Sequence, residues 1–255
     1  MSDVQTRPSP AELLEKMQLV RAFEERSAAS FAEGRSPGTC TCVGQEASAV
    51  GVVAALREDD LILTNHRSAG HLLARGADPG RLMAEIMGRA TGYCGGKSGT
   101  LHVSAKELGV VLTSTIVGGE LSLAPGVALS VQMKGGDQVV ACFFGDGAAC
   151  EGIFHEALNL AAVWKLPVLF VCENNEWQAF VHRRETMLTQ DIASRAAAYG
   201  IEGKTVDGND AEAVLAAATE AVAKVRATRM PFLLETKTYR LRGHFEPDDQ
   251  GYVDK

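Results

Sequence analysis

Apolar positions change their period along this chain, and the changes divide it into helices and strands. Residues 139–144 and 167–172 are consecutive apolar runs of strand length, the pattern of strands covered on both faces in a parallel sheet. Residues 151–164 between them repeat with a period of 3.6 and supply the crossover helix that two parallel strands need. The alternation continues in both directions. Ser9-Pro10 opens a helix reaching to about Gly34, with Leu13, Met17, Val20 and Phe31 on or near one face. Further helices are predicted over 44–56, 67–75, 79–87, 119–133, 191–198 and 210–227, and further strands over 61–64, 203–206 and 232–237. Residues 88–115 are glycine-rich and irregular, and a loop of that length inside a domain is functional or mobile. The fold class is therefore α/β, an open and mostly parallel sheet with helices on both faces. No repeat or low-complexity linker divides it, so residues 10–255 are expected to form one domain, with the polar residues 1–9 disordered.

Composition narrows the function. A hydrophobic fraction of 46% over 255 residues can bury a full core. The net charge of −7 and the lack of a basic block argue against nucleic acid as a partner. The longest apolar runs are strand-sized, so no membrane span is expected, and no secretory pattern opens the chain. Six cysteines are scattered; Cys142 and Cys172 fall in apolar strands as buried thiols, and Cys40-Thr41-Cys42 has no second pair at zinc spacing. A reduced, cytoplasmic protein is the simplest reading.

The strand ends carry the candidate chemistry. One strand stops at Gly145-Asp146-Gly147 and the next at Glu173-Asn174-Asn175. One crossover places Asp146 and Asn175 side by side on the edge where open α/β sheets bind ligands. A carboxylate aimed at a pyrophosphate repels it unless a cation lies between them. Mg2+ fits, because it binds few protein oxygens along with phosphate oxygens and water. The competing reading makes Asp146 the N-cap of the next helix; the Asn-Asn pair after one strand–helix–strand unit favours the metal. Arg67, in Thr64-Asn65-His66-Arg67-Ser68, follows another strand and suits an anion. His244 follows the final strand, and histidine is the side chain that titrates near neutrality. His71 and His155 read as structural, His102 is able to approach the site, and His182 has no assigned role. A Walker loop at 92–98 fails because Thr91 stands at its first glycine, and no Gly-x-Ser-x-Gly elbow occurs.

The run GDGAACEGIFHEALNLAAVWKLPVLFVCENN resembles the thiamine diphosphate signature in the α subunit of the decarboxylating component of 2-oxo acid dehydrogenase complexes (pyruvate, branched-chain and acetoin types). GQEASAV, NHRSAGHLLARG, GGKSGTLHV, IVGGELSLAPGVALS and ETKTYRLRGH extend the likeness from Leu13 to His244. The resemblance implies a thiamine diphosphate-binding fold, with Mg2+ held by the Asp146 and Asn175 side chains and the Trp177 main-chain carbonyl. It implies that Arg67 contacts the diphosphate with His66 beside it, and that Gly147 and Ala148 offer N–H groups. Thr115 and Val117 match the segment flanking the aminopyrimidine, although for Val117 ordinary packing is as good a reading. His244 matches a proton carrier or stabiliser on a mobile loop. A separate β subunit would supply the activating glutamate in an α2β2 assembly, leaving this chain inactive alone.

The implied reaction cleaves a 2-oxo acid and passes an acyl unit to a lipoyl domain. Two alternatives stay open. One is transketolase-like transfer of a two-carbon ketol unit from a ketose phosphate to the thiol of an acyl or peptidyl carrier protein. The other is a non-catalytic scaffold. Cys40 and Ala69 stand where the family usually has histidines, and Lys255 follows His244 sooner than in most members.

Overall fold

The chain is described by a computed structural model over residues 7–99 and 101–253. Among the described residues there are eight strands, β1 (Leu61–Asn65), β2 (Val110–Ser114), β3 (Val140–Gly145), β4 (Val168–Asn174), β5 (Trp177–Gln178), β6 (Val181–His182), β7 (Glu202–Asp207) and β8 (Phe232–Lys237). Six of them form one sheet in the order β2-β1-β3-β4-β8-β7, with every pairing parallel. β5 and β6 make a small antiparallel ribbon beyond the end of β4. The helices are α1 (Pro10–Ala32), α2 (Glu46–Ala54), α3 (Ala69–Ala74), α4 (Pro79–Ile86), α5 (Gly119–Met133), α6 (Gly152–Trp164) and α7 (Ala211–Thr228). None among the described residues is long and apolar enough to cross a membrane.

The period-2 sorting of strand side chains builds the two halves of the core. Ala141, Phe143, Leu169, Val171, Phe232 and Leu234 face a layer that includes α1, α2, α3 and α7. Val140, Cys142, Phe144, Val168, Phe170, Cys172 and Leu233 face α5, α6 and the segment around Ile192. Covering both faces explains why β3 and β4 read as unbroken apolar runs. Each fully buried phenylalanine there contributes roughly 1.5–3 kcal/mol. Cys142 and Cys172 are buried free thiols, as their strand positions predict.

From β1 the chain crosses to β2 on one side and then returns to pair β3 on the other. The loops leaving β1 and β3 therefore part, which opens a crevice at their carboxyl ends.

Several boundaries differ from the sequence reading. Residues 88–115 are not irregular throughout. They contain a 3-10 turn, Lys106–Leu108, and the edge strand β2, entered through Gly109 at φ 68°. A five-residue strand paired on one side carries too short a pattern to stand out from its glycine-rich flank. The helix expected from residue 67 begins at Ala69, leaving Arg67 in the turn. The helix expected at 191–198 is a 3-10 segment, Ile192–Tyr199, stopped by Gly200 at φ 67°. At the other end Ser9 closes a capping box with Glu12 and so belongs to α1. Leu13, Val20 and Phe23 form the buried face of α1, whereas Phe31 is only partly buried. The expectation of disorder over residues 1–6 lies outside the described residues.

Candidate active site

A cavity of about 420 Å3 opens at the carboxyl ends of the strands. The loop after β1 contributes Asn65, His66 and Arg67, and the loop after β2 contributes Thr115 and Val117. The turn after β3 brings Asp146, Gly147 and Ala148, the turn after β4 brings Asn175 and Trp177, and His244 reaches in from the segment after β8. All ten site residues expected from the sequence thus line one cavity.

Asp146 is 1% exposed, and its Oδ2 has no hydrogen-bond partner among the described residues. Burial pushes its carboxyl up to about 6. It does not cap the next helix. A 3-10 turn, Ala148–Cys150, intervenes, and Glu151 is the N-cap of α6. A buried carboxylate oxygen without a partner is costly unless a cation or proton joins it.

Asn175 stands beside it on the adjoining strand end. Its Oδ1 accepts from the Trp177 N–H at 3.1 Å, and its Nδ2 donates to Gln45 Oε1 at 3.1 Å. Glu176 takes φ 71° to make the turn that returns Trp177 toward Asn175. A methyl group built on Gly145 would meet no protein atom within 4 Å, so the space beyond that backbone belongs to the cavity. The orphaned carboxylate oxygen, the amide oxygen and the bare glycine cradle fit a partly hydrated divalent cation carrying phosphate oxygens.

Arg67 supplies the positive charge. It is 6% exposed, and among the described residues no carboxylate pairs with it. Its Nη1 donates to the Thr41 carbonyl at 2.7 Å, and its Nη2 donates to the His244 carbonyl and Nδ1, both at 2.9 Å. The Asn65 side chain fixes the turn by accepting from the Arg67 N–H at 2.8 Å. Burial lowers the Arg67 pKa, as it does for any cation removed from water without a counter-charge. A bound anion in the cavity would offset that cost.

The two histidines beside it are neutral. Burial, and then Arg67, lower His66 to about 3 and His244 to about 4. Arg67 can only donate, so Nδ1 of His244 is the acceptor and the neutral ring carries its proton on Nε2. The His66 and His244 ring centroids are 5.7 Å apart, edge to face.

The loop bearing His244 is tied down by residues that the sequence reading passed over. Arg240 donates to the Ala179 carbonyl at 2.8 Å and to the Tyr252 hydroxyl at 2.6 Å. Asp248 accepts from the His244 N–H and from the Tyr252 hydroxyl. Gln45, Glu120 and Glu173 also line the cavity unannounced. Glu173 is held by Ser48 and His71, and His71 also bonds Thr64 and lies over Phe143, so its role is structural. His155 bonds the Tyr199 hydroxyl, and neither residue lines the cavity. His102 is exposed, with Nε2 3.4 Å from Thr115 Oγ1, and does not itself line the cavity. His182 packs edge to face on Trp177.

Known proteins share this chain's plan along nearly all of its length. Residues 15–253 match the sequence profile of the family described as "Dehydrogenase E1 component". The α subunit of acetoin:2,6-dichlorophenolindophenol oxidoreductase from Bacillus subtilis (strain 168) is 46% identical over 244 residues, covering 95% of this chain and 73% of that protein. The protein of the same name from Cupriavidus necator is 42% identical, covering 93% and 72%. The pyruvate dehydrogenase E1 component subunit alpha of Rhizobium meliloti (strain 1021) is 41% identical over 241 residues, covering 94% and 69%. Matches of this extent, over the same strand ends that gather Asp146, Asn175 and Arg67, leave one conclusion: the chain belongs to the dehydrogenase E1 component family.

Proposed function

We propose that this chain is the α subunit of an E1 enzyme that cleaves a 2-oxo acid or a closely related ketone and hands the acyl unit to a lipoyl-type acceptor. The relatives named for pyruvate and acetoin chemistry support this reading, as does the cavity. The family's cofactor, thiamine diphosphate with a divalent metal, supplies when bound the carbon nucleophile and the electron sink for breaking the bond beside the carbonyl.

The chain's own residues bind the cofactor, orient it and stabilise charge. The Asp146 and Asn175 side chains and the Trp177 carbonyl hold Mg2+. Arg67 and the N–H groups of Gly147 and Ala148 hold the diphosphate, with His66 beside them. Thr115 and Val117 pack against the aminopyrimidine. His244, neutral and protonated on Nε2, would donate a hydrogen bond to the oxygen on the reacting carbon and so stabilise the charge that develops there.

Alpha subunits of this family pair with beta subunits. Ile116 and Val117 at the cavity mouth are 70% and 54% exposed, and α5 and α6 present Leu123, Val163 and Trp164 to solvent. A β subunit covering this face in an α2β2 assembly removes that apolar surface from water and brings the activating glutamate. Six free cysteines suit a reducing compartment such as the cytoplasm.

The observation that carries the proposal is the unpartnered Oδ2 of the Asp146 carboxylate beside Asn175 at the tips of adjoining parallel strands. Calorimetric titration of the co-assembled α and β chains with thiamine diphosphate and Mg2+ tests it. Asp146→Ala is expected to lose about 100-fold or more in affinity, in line with removal of a direct metal ligand. Wild-type affinity in that variant overturns the assignment.

A further inference from the structure

We infer that Gln45 aims the Asn175 side chain at the metal and donates a hydrogen bond to the diphosphate beside it. The inference rests on the reading of Asn175 as a metal ligand and adds to it a residue with no assigned role. Gln45 immediately precedes α2, makes no side-chain cap bond there, is 2% exposed and lines the cavity.

The main chain fixes the sense of the bonds. The Trp177 N–H can only donate, so the atom of Asn175 facing it at 3.1 Å is the oxygen, Oδ1. The amide nitrogen Nδ2 is then turned the other way, where it donates to Gln45 at 3.1 Å. Gln45 must answer with its own oxygen. Exchanging the two ends of the Asn175 amide would set its NH2 against the Trp177 N–H and against the cation, and Gln45 Oε1 would lose its donor. The pair therefore holds the free lone pair of Oδ1 in place for a metal, as outer partners do for ligands in metal sites.

That arrangement leaves Gln45 Nε2 over. It carries two N–H donors, is buried, and has no partner among the described residues. Gln45 lines the cavity, so an acceptor bound there is placed to satisfy it. The ligand class is an acceptor-only anion lying next to the cation, namely a phosphoryl oxygen of a diphosphate ester. The backbone under Gln45 is in no position to relax. The Gln45 N–H donates to Cys42 O at 2.9 Å, and Thr238 Oγ1 donates to Gly44 O at 2.8 Å. Gly44 sits at φ +97°, and a side chain there would collide with the Tyr239 carbonyl, 2.3 Å from its Cβ.

Two variants separate the two roles in the co-assembled α/β protein. Gln45→Met keeps the length and removes both polar groups. Mg2+-dependent binding of thiamine diphosphate, measured by calorimetry, is expected to weaken about 10–100-fold, while the cofactor-free melting midpoint stays put. Gln45→Glu keeps an acceptor for Asn175 Nδ2 but replaces the donor with a second carboxylate oxygen. Binding of Mn2+ alone, followed by the paramagnetic resonance of the free ion, is expected to be no weaker than in wild type. Binding of thiamine diphosphate is expected to weaken by about tenfold or more. A residue that merely filled space would not split metal affinity from diphosphate affinity. Wild-type cofactor affinity in Gln45→Met overturns the inference, and so does wild-type cofactor affinity in Gln45→Glu; should the methionine variant fail to fold, the glutamate variant decides alone. Asp146→Ala keeps the two levels apart. If that variant also binds the cofactor normally, the metal reading itself falls; if it does not while the Gln45 variants bind normally, only the role of Gln45 falls.

Discussion

Glu120 shows what a single buried carboxyl does to this protein. It is the second residue of α5, 1% exposed, with Oε2 lacking a partner among the described residues. Burial raises its pKa to about 7, against a small opposing effect from its own main-chain N–H. In the unfolded chain the group titrates near 4.5. Between that value and about 7 the folded protein keeps a proton that the unfolded chain has released. Stability therefore falls as pH rises through this window, and the full penalty applies above it. Glu120→Gln is expected to melt like wild type near pH 4.5 and later than wild type at pH 8, with a gain of up to about 3 kcal/mol. Thermal melts of the two proteins across that range check this, and a gap independent of pH would exclude the ionisation as its cause. Gly-Asp-Gly alone reads as readily as a helix N-cap; Asp146 is legible in the sequence because Gly-Asp-Gly at one strand end is followed, after one crossover helix and strand, by Asn174-Asn175 at the next. Glu120 is not, because an acid in the first turn of a helix is a routine helix-stabilising choice and its burial depends on distant partners.

Whole elements were legible where the pattern repeats long enough to be distinctive. β3, α6 and β4 emerge from their apolar periods within a residue or two at most boundaries, and β8 matches residues 232–237 at both ends. β2 escaped because its pairing partner lies far along the chain, and Gln45 escaped because its use comes from Asn175 on another element. In the loop after β8 the sequence marks His244, yet the loop's geometry is set by Arg240, Asp248 and Tyr252. Asp248→Ala removes the acceptor shared by the His244 N–H and the Tyr252 hydroxyl. Those two bonds are together worth roughly 1–3 kcal/mol of loop order. The variant is expected to lose hydrogen-exchange protection over residues 244–252 and to turn over on the order of tenfold more slowly, while binding thiamine diphosphate and Mg2+ about as well as wild type. Intact protection with slow turnover would assign Asp248 to the chemistry and not to the loop.

The molecule as a whole separates a frame from a site. The cavity occupies the carboxyl ends of the strands, and the opposite end of the sheet is locked by Asp60 and Arg226. Asp60 is fully buried just before β1. Its carboxylate accepts from Arg226 Nη1 at 3.1 Å and Nη2 at 2.7 Å, from the Arg57 N–H at 2.8 Å and from the Val139 N–H at 2.7 Å. One side chain thus ties the starts of β1 and β3 to the last turns of α7. Removing it leaves a guanidinium and two main-chain donors without their acceptor at the base of the sheet. Asp60→Ala is expected to cost about 3–5 kcal/mol in urea unfolding, as breaking one partner of a buried ion pair does, and Asp60→Asn less because it keeps an acceptor. The folded fraction of either variant should still bind thiamine diphosphate and Mg2+ with wild-type affinity, since Asp146, Asn175 and Arg67 sit at the other end of the strands. If affinity instead falls in step with stability, the sheet is not the rigid platform that its packing on both faces implies, and damage at one end reaches the other.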